Sequence, residues 1–368
     1  MNDILLTVSG NIDSEIRGKI ERGERPLADY IAMADSLQAD LIDYKGAAQQ
    51  ANWFGKLLGR IGGRNLLLAW VCYQLRHRYR IIFTDGEQIG IPLAFLLKFF
   101  TFGDRPQHQM IVHILSVGKK MLFFDKLGIQ SHIDIFFVYA TWQKKFIEER
   151  WNVPSNRVVF TPFMVDSHFF APNQAGGSGN LLGLKDEKRP ILCAVGLEFR
   201  DYPTLIEAVR GLGVVVVIAA ASPWSKRSDS TEGQDIPDNV IIHRFTQFEL
   251  RDLYALSNFL VMPLYNVNFQ AGVTALLEAM AMEKAVVCSR TPGQTDVVVE
   301  GETGLYATPE DPADLRRAIV YLLENSDEAE RMGKNGRRRI DNYMSLDQYV
   351  LRLNEYVQPQ GALSLAAD

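Results

Sequence analysis

Gln270 and Glu278 stand eight positions apart, one before and one within an expected helix, a spacing that lets both side chains border a ligand lying across the helix N-terminus. Gly272 lies in a polar loop between them, and the helix is expected from about Val273. The first-turn amides of such a helix, those of Val273 and Thr274 among them, have no intrahelical partner. Together with the helix dipole they favour a bound phosphate. Glu278 is flanked by Leu276, Leu277, Ala279 and Met280. A carboxylate in so apolar a helix is costly to bury unless it finds a partner. It either pairs with a core arginine or backbone amide, or it serves a ligand.

Such residues must be held by rigid elements. Short β-branched runs alternate with longer amphipathic stretches, as a parallel sheet with crossover helices requires. In the first half the strands are expected at Ile4–Val8, Leu41–Asp43, Ile81–Thr84, Met110–Ile114, Ile135–Val138 and Arg157–Thr161, with a helix at Pro26–Gln38 opened by its proline. The second half restarts the rhythm at Ile191–Val195, Val214–Ala219, Val240–His243, Phe259–Met262, Ala285–Cys288 and Gly304–Tyr306. The expected fold class is α/β, with two doubly wound Rossmann-like domains facing a cleft.

At 368 residues with 47% hydrophobic and 23% charged side chains, the chain has globular composition and a length suited to two cores. The expected division is an N-terminal domain over 1–170, a linker over 171–190, a C-terminal domain over 191–345, and a helix and tail over 346–368. The linker reading rests on Pro172 and the Gly-Gly-Ser-Gly run at 176–179. Three dispersed cysteines, Cys72, Cys193 and Cys288, suggest neither disulfides nor zinc, hence a reducing compartment. No signal peptide or membrane-spanning run is recognisable, so a cytoplasmic protein is expected. The formal net charge of -5 conceals a polarity: residues 45–157 hold 16 Lys+Arg against 7 Asp+Glu. That excess suggests an anionic partner for the N-terminal half.

Gln270–Val287, followed by Thr291-Pro-Gly-Gln-Thr-Asp, Glu300-Gly-Glu-Thr-Gly-Leu-Tyr and Pro309-Glu-Asp-Pro, resembles the nucleotide-sugar site of family 4 glycosyltransferases, which have the GT-B fold. The resemblance runs through about residues 191–357 and implies a retaining, metal-independent transfer from a nucleoside-diphosphate sugar to a glycan or lipid-linked acceptor. It gives Glu278 the ribose hydroxyls and places Gln270 toward the donor sugar, where the family carries glutamate. An amide exchanges hydrogen bonds with sugar hydroxyls but brings no charge to a developing oxocarbenium ion. The family also has a glycine and a basic pair after the first strand of the second domain. Gly196 and Arg200 match, Leu197 replaces the first cation, and Lys226 or Arg227 could substitute for it. Without a ligand, Arg200 beside Asp201 would be a solvated ion pair.

The same resemblance places Gly10 near the donor phosphates and His113 toward the donor sugar; read alone, they are a tight turn and a structural histidine. Asp85 and Glu87 follow a strand, where they could touch an acceptor hydroxyl or cap the next helix. They are also the nearest approach to an acidic metal motif, so no metal and no cofactor are expected beyond the nucleotide-sugar co-substrate. The basic-apolar stretches Lys56–Arg80 and Phe95–Lys126 suit either an anionic membrane surface, as a peripheral protein at its inner face, or ordinary amphipathic helices. No nucleic-acid motif accompanies the charge. The departures at Gln270 and Leu197 keep a second possibility open, a catalytically weak subunit that binds a nucleotide sugar or glycan.

Overall fold

Twelve short strands, most of them buried along their length, build two sheets in a computed structural model that describes residues 2–220 and 235–357. Spatial proximity divides these residues into two units, one of 2–17, 28–161 and 350–357, the other of 18–27, 162–220 and 235–349.

The first sheet contains β1 (Ile4–Thr7), β2 (Asp40–Ile42), β3 (Ile81–Thr84), β4 (Gln107–Val112), β5 (Ile135–Val138) and β6 (Val158–Phe160). They are parallel, in the order β2-β1-β3-β4-β5-β6. The second contains β7 (Ile191–Val195), β8 (Val215–Ala219), β9 (Val240–Ile242), β10 (Phe259–Met262), β11 (Ala285–Ser289) and β12 (Gly304–Ala307). These too are parallel, in the order β12-β11-β10-β7-β8-β9. β7, β8, β10 and β11 are buried throughout, as strands covered by helices on both faces must be.

Each order has one reversal, between β1 and β3 in the first sheet and between β7 and β10 in the second. Loops leaving the carboxyl ends of strands at such a point diverge and leave a crevice, where open α/β sheets bind ligands. The loops carrying Gly196 and Arg200 and those carrying Gln270 and Gly272 follow the two strands of the second reversal.

Several boundaries differ from expectation. β4 begins at Gln107 and ends at Val112, which leaves His113 beyond the strand. Polar His108 and Gln109 are fully buried within it, and His108 is held by the Thr84 hydroxyl at 3.1 Å and the His132 carbonyl at 3.1 Å. The helix expected at Pro26 starts at Asp29 after an extended Ala28, and Gln38 closes it in the left-handed region at φ 51°. Residues 171–190, expected as a linker, pack onto the second unit. Leu181 and Leu184 enter the second unit's core, and the Gly176 and Ser178 amides donate to Asp252 at 2.7 and 2.6 Å. From residue 350 the C-terminal helix Leu346–Val357 belongs with the first unit, where Tyr356 meets Phe137 edge-on. Cys72, Cys193 and Cys288 are buried free thiols. Among the described residues no helix is long and apolar enough to cross a membrane.

Candidate functional site

In the second unit the chain leaves β7 through Gly196 at φ +105° and leaves β10 through a loop ending in Gly272 at φ +78°. Both values lie in the region that side chains rarely adopt. The two glycines also clear space for one side chain. A Cβ at Gly196 would lie 2.2 Å from Arg200 Nη2, and one at Gly272 would lie 3.0 Å from Arg200 Cζ and 2.8 Å from Met262 Sδ. Arg200 is therefore seated between the loops of the reversal, 6% exposed, and is not a solvated ion-pair partner. Its Nε donates to the Val195 carbonyl at 2.9 Å and Nη1 to the Glu198 carbonyl at 2.7 Å. Asp201 is turned away to cap the helix Tyr202–Val209, accepting from Thr204 N at 3.2 Å. Burial lowers the guanidinium's proton affinity, but arginine stays charged at any physiological pH.

Gly272 is the N-cap of the helix Val273–Ala281, so the amides of Val273 and Thr274 begin beside the seated cation. Val273 is buried and Thr274 exposed. The loop before Gly272 is braced by Gly293, where a Cβ would lie 2.2 Å from the Phe269 carbonyl oxygen. The buried Gln294 also donates to the Ala271 carbonyl. Leu197 packs against the core, and both Lys226 and Arg227 lie outside the described residues.

Among the described residues Glu278 is hydrogen-bonded to neither an arginine nor a backbone amide. Its Oε2 accepts from the Tyr254 hydroxyl at 2.7 Å, and the two side chains are 6% and 0% exposed. Burial pushes the Glu278 carboxyl up to about 7, and the Tyr254 hydrogen bond offsets this only in part. The sequence gives no signal for Tyr254. It lies on the buried side of the helix Gln247–Leu256, where an aromatic residue reads as core.

In the first unit, Asp85 ties together the loops of the other reversal. Its carboxylate accepts from the Thr7 hydroxyl and the Ser9 amide, both at 2.5 Å, and burial raises it above the ordinary carboxylate range. Gly10, next along, is in open surroundings; a Cβ there would meet nothing within 4 Å. Glu87 is 2% exposed and fully engaged. It accepts from the amides of His113 at 3.0 Å and Ile114 at 2.9 Å, and from Lys120 Nζ at 2.6 Å. Burial would raise Glu87, but the charges of His113 and Lys120 outweigh it and hold the group below its usual range. Asp85 and Glu87 are thus both engaged by protein donors. Their oxygens are spent on fixing the loops that carry Ser9 and His113.

His113 is exposed, with its backbone held by Glu87 and by Gln143. Its Nε2 lies 3.0 Å from the Asp85 carbonyl oxygen. Only a protonated Nε2 can make that bond, so in the neutral ring Nδ1 is the acceptor.

Residues 183–339 match the family described as Glycosyl transferases group 1. The D-rhamnosyltransferase WbpZ of Pseudomonas aeruginosa is 28% identical over 142 residues, 38% of this chain and 37% of that protein. The capsular polysaccharide biosynthesis glycosyltransferase CapM of Staphylococcus aureus is 32% identical over 92 residues, 25% and 23% of the two chains. These matches thus span well under half of the curated relatives' length. The likeness of fold extends much further. Sucrose-phosphate synthase from Thermosynechococcus elongatus superposes with a TM-score of 0.71 over 97% of this chain and 98% of its own, at 17% identity. HepE from Anabaena in complex with UDP gives 0.69 over 97% and 99%, at 12% identity. The fold is GT-B, with two Rossmann-like domains.

Proposed function

We propose that the protein is a family 4 glycosyltransferase that moves a sugar from a nucleoside-diphosphate sugar to a glycan or lipid-linked acceptor with retention of configuration. The observation that carries this reading is the seat of Arg200 between Gly196 and Gly272, beside the N-terminus of a helix that also carries Glu278. The group 1 match over the same residues supports it, as does the likeness of fold to HepE, a protein that binds UDP. In the transfer, the bond from the anomeric carbon to the diphosphate breaks, and the acceptor oxygen bonds to that carbon. The acceptor's proton passes to the leaving phosphate. Leaving-group charge is met by the Arg200 guanidinium and the amides of Val273 and Thr274, with no metal. Glu278 takes the ribose hydroxyls, Gln270 hydrogen-bonds the sugar, and the acceptor belongs to the first unit, where His113 and the Gly10 turn are the groups offered to substrate.

Incubation with a panel of nucleotide sugars and detection of released nucleotide tests the reaction. Glu278→Ala should abolish nucleotide binding, and unchanged affinity for every nucleoside diphosphate would remove the reading. The uncharged Gln270 and Leu197 favour, as a second reading, a weakly active subunit that binds the same donor. Gln270→Glu separates the two: a dormant site gains turnover, whereas an enzyme built around glutamine loses it.

A further inference from the structure

The helix Trp53–Gln74 is broken at Gly63, where φ 76° and ψ -174° turn it into two arms. The arms meet through glycines. A Cβ at Gly55 would lie 2.5 Å from Trp70 Cδ1, one at Gly59 3.2 Å from Leu67 Cβ, and one at Gly62 2.4 Å from Leu66 Cδ2. With its inner face spent on glycine, the first arm turns its large side chains outward. Trp53, Leu57 and Ile61 follow one another at successive turns and are 77%, 42% and 77% exposed. Beside that stripe run the exposed cations Lys56 and Arg60, continued by Arg64 past the break. No Asp or Glu occurs between Asp43 and Asp85.

On the other flank of the stripe, Phe54 and Leu58 form one wall of an apolar groove of about 800 Å³. The return arm closes it with Trp70, and the helices Glu87–Phe100 and Gly118–Leu127 supply Phe95 and Phe123. Close in sequence to the lining residues Phe100 and Phe123, two further apolar side chains are exposed, Phe102 at 95% and Leu122 at 54%. The exposed Lys119 and Lys126 lie on the same helix as Leu122. Of the acids nearby in sequence, Asp125 is ion-paired with Arg150 at 2.8 Å, and Asp104 lies two residues beyond Phe102.

Apolar side chains in this number are seldom left facing water without a partner. A second copy packed through the same face would bring Lys56, Arg60 and Arg64 near their own kind. An anionic lipid surface satisfies both features, since lysine and arginine meet the headgroups while the stripe enters the acyl boundary. We propose that this hairpin and the groove beside it form a docking surface for a bilayer containing anionic phospholipid, with the groove taking lipid hydrocarbon. The proposal stands apart from the transferase reading, because vesicle binding and nucleotide binding are read separately.

The test is co-sedimentation of the full chain with vesicles of phosphatidylcholine alone or mixed equally with phosphatidylglycerol. Binding is expected to the mixed vesicles, and to fall about tenfold or more both for Lys56→Glu/Arg60→Glu and for Trp53→Ser/Ile61→Ser. Unchanged circular-dichroism melts certify that the variants fold. Should either pair fail to fold, Trp53→Phe keeps the test alive: the wild-type fluorescence should shift to the blue on mixed vesicles, and the shift should shrink in this variant. Absence of binding to mixed vesicles, or wild-type binding by both folded pairs, overturns the proposal. So does a self-association that Trp53→Ser/Ile61→Ser dissolves, which would assign the surface to a second copy.

Discussion

The Tyr254 hydroxyl and Glu278 Oε2 meet at 2.7 Å in a place where neither side chain is more than 6% exposed. The carboxyl, pushed up from 4.5 to about 7, prefers its proton in the folded chain and not in the unfolded one. Its folded-state advantage is complete below pH 4.5 and is lost as pH rises through about 7. Glu278→Gln should remove that slope. The variant is expected to gain up to about 3 kcal/mol relative to wild type between pH 5 and pH 8, at about 1.4 kcal/mol per pH unit. Urea unfolding at the two pH values measures it.

Tyr254→Phe removes the hydroxyl that donates to the carboxylate. Stability should fall by about 1 kcal/mol. Glu278 should then titrate above its present value of about 7. If ribose hydroxyls donate to the ionised group, nucleoside diphosphate affinity in the wild type rises through that pH, and in Tyr254→Phe the rise moves to higher pH. Titration calorimetry across the range reads both curves.

Gly196→Ala and Gly272→Ala place a methyl group against Arg200 from two sides, at positive φ. Each should cost about 1–3 kcal/mol and weaken nucleotide binding by displacing the guanidinium. Gly10→Ala is the contrast. Its Cβ meets nothing within 4 Å, so the melt should not move, and a fall in turnover would then report a substrate beside that turn.

Glu87→Gln separates positioning from acceptor binding. The wild-type group sits below its ordinary 4.5, so its contribution is present above that pH and is lost as pH falls through the lowered value. The variant should lose about 1–3 kcal/mol at neutral pH, and its acid limb should be shallower. Because Glu87 holds the His113 amide, kcat should drop while the acceptor KM stays near wild type.

Legibility in the sequence followed how local each signal was. β3, β5, β7 and β10 match their expected limits because buried parallel strands read as apolar runs between turn signals. β4 does not, since His108 and Gln109 break its run, and only Thr84 and His132, distant in sequence, make a buried histidine acceptable there. The Gly272–Glu278 junction was visible from spacing. The seat of Arg200 was not, because it depends on two glycines 76 positions apart. Glu87 and Asp85 look like ligands in one dimension, and the loops they tie together are seen only in three. The stretch Lys56–Arg80 showed its charge and its apolar content, but the turn at Gly63 that sorts them onto separate faces is a single backbone conformation.

That turn also fixes a phase. A residue inserted between Lys56 and Gly59 would rotate everything beyond it by about 100°. Gly59 and Gly62 would leave the return arm and side chains would enter the seam. Ile61 would fall out of line with Trp53, and Arg60 would move relative to Lys56. The length of the arm is therefore as much a part of its chemistry as its composition. A chain that kept every one of these residues and gained one more would present a different face to its surroundings.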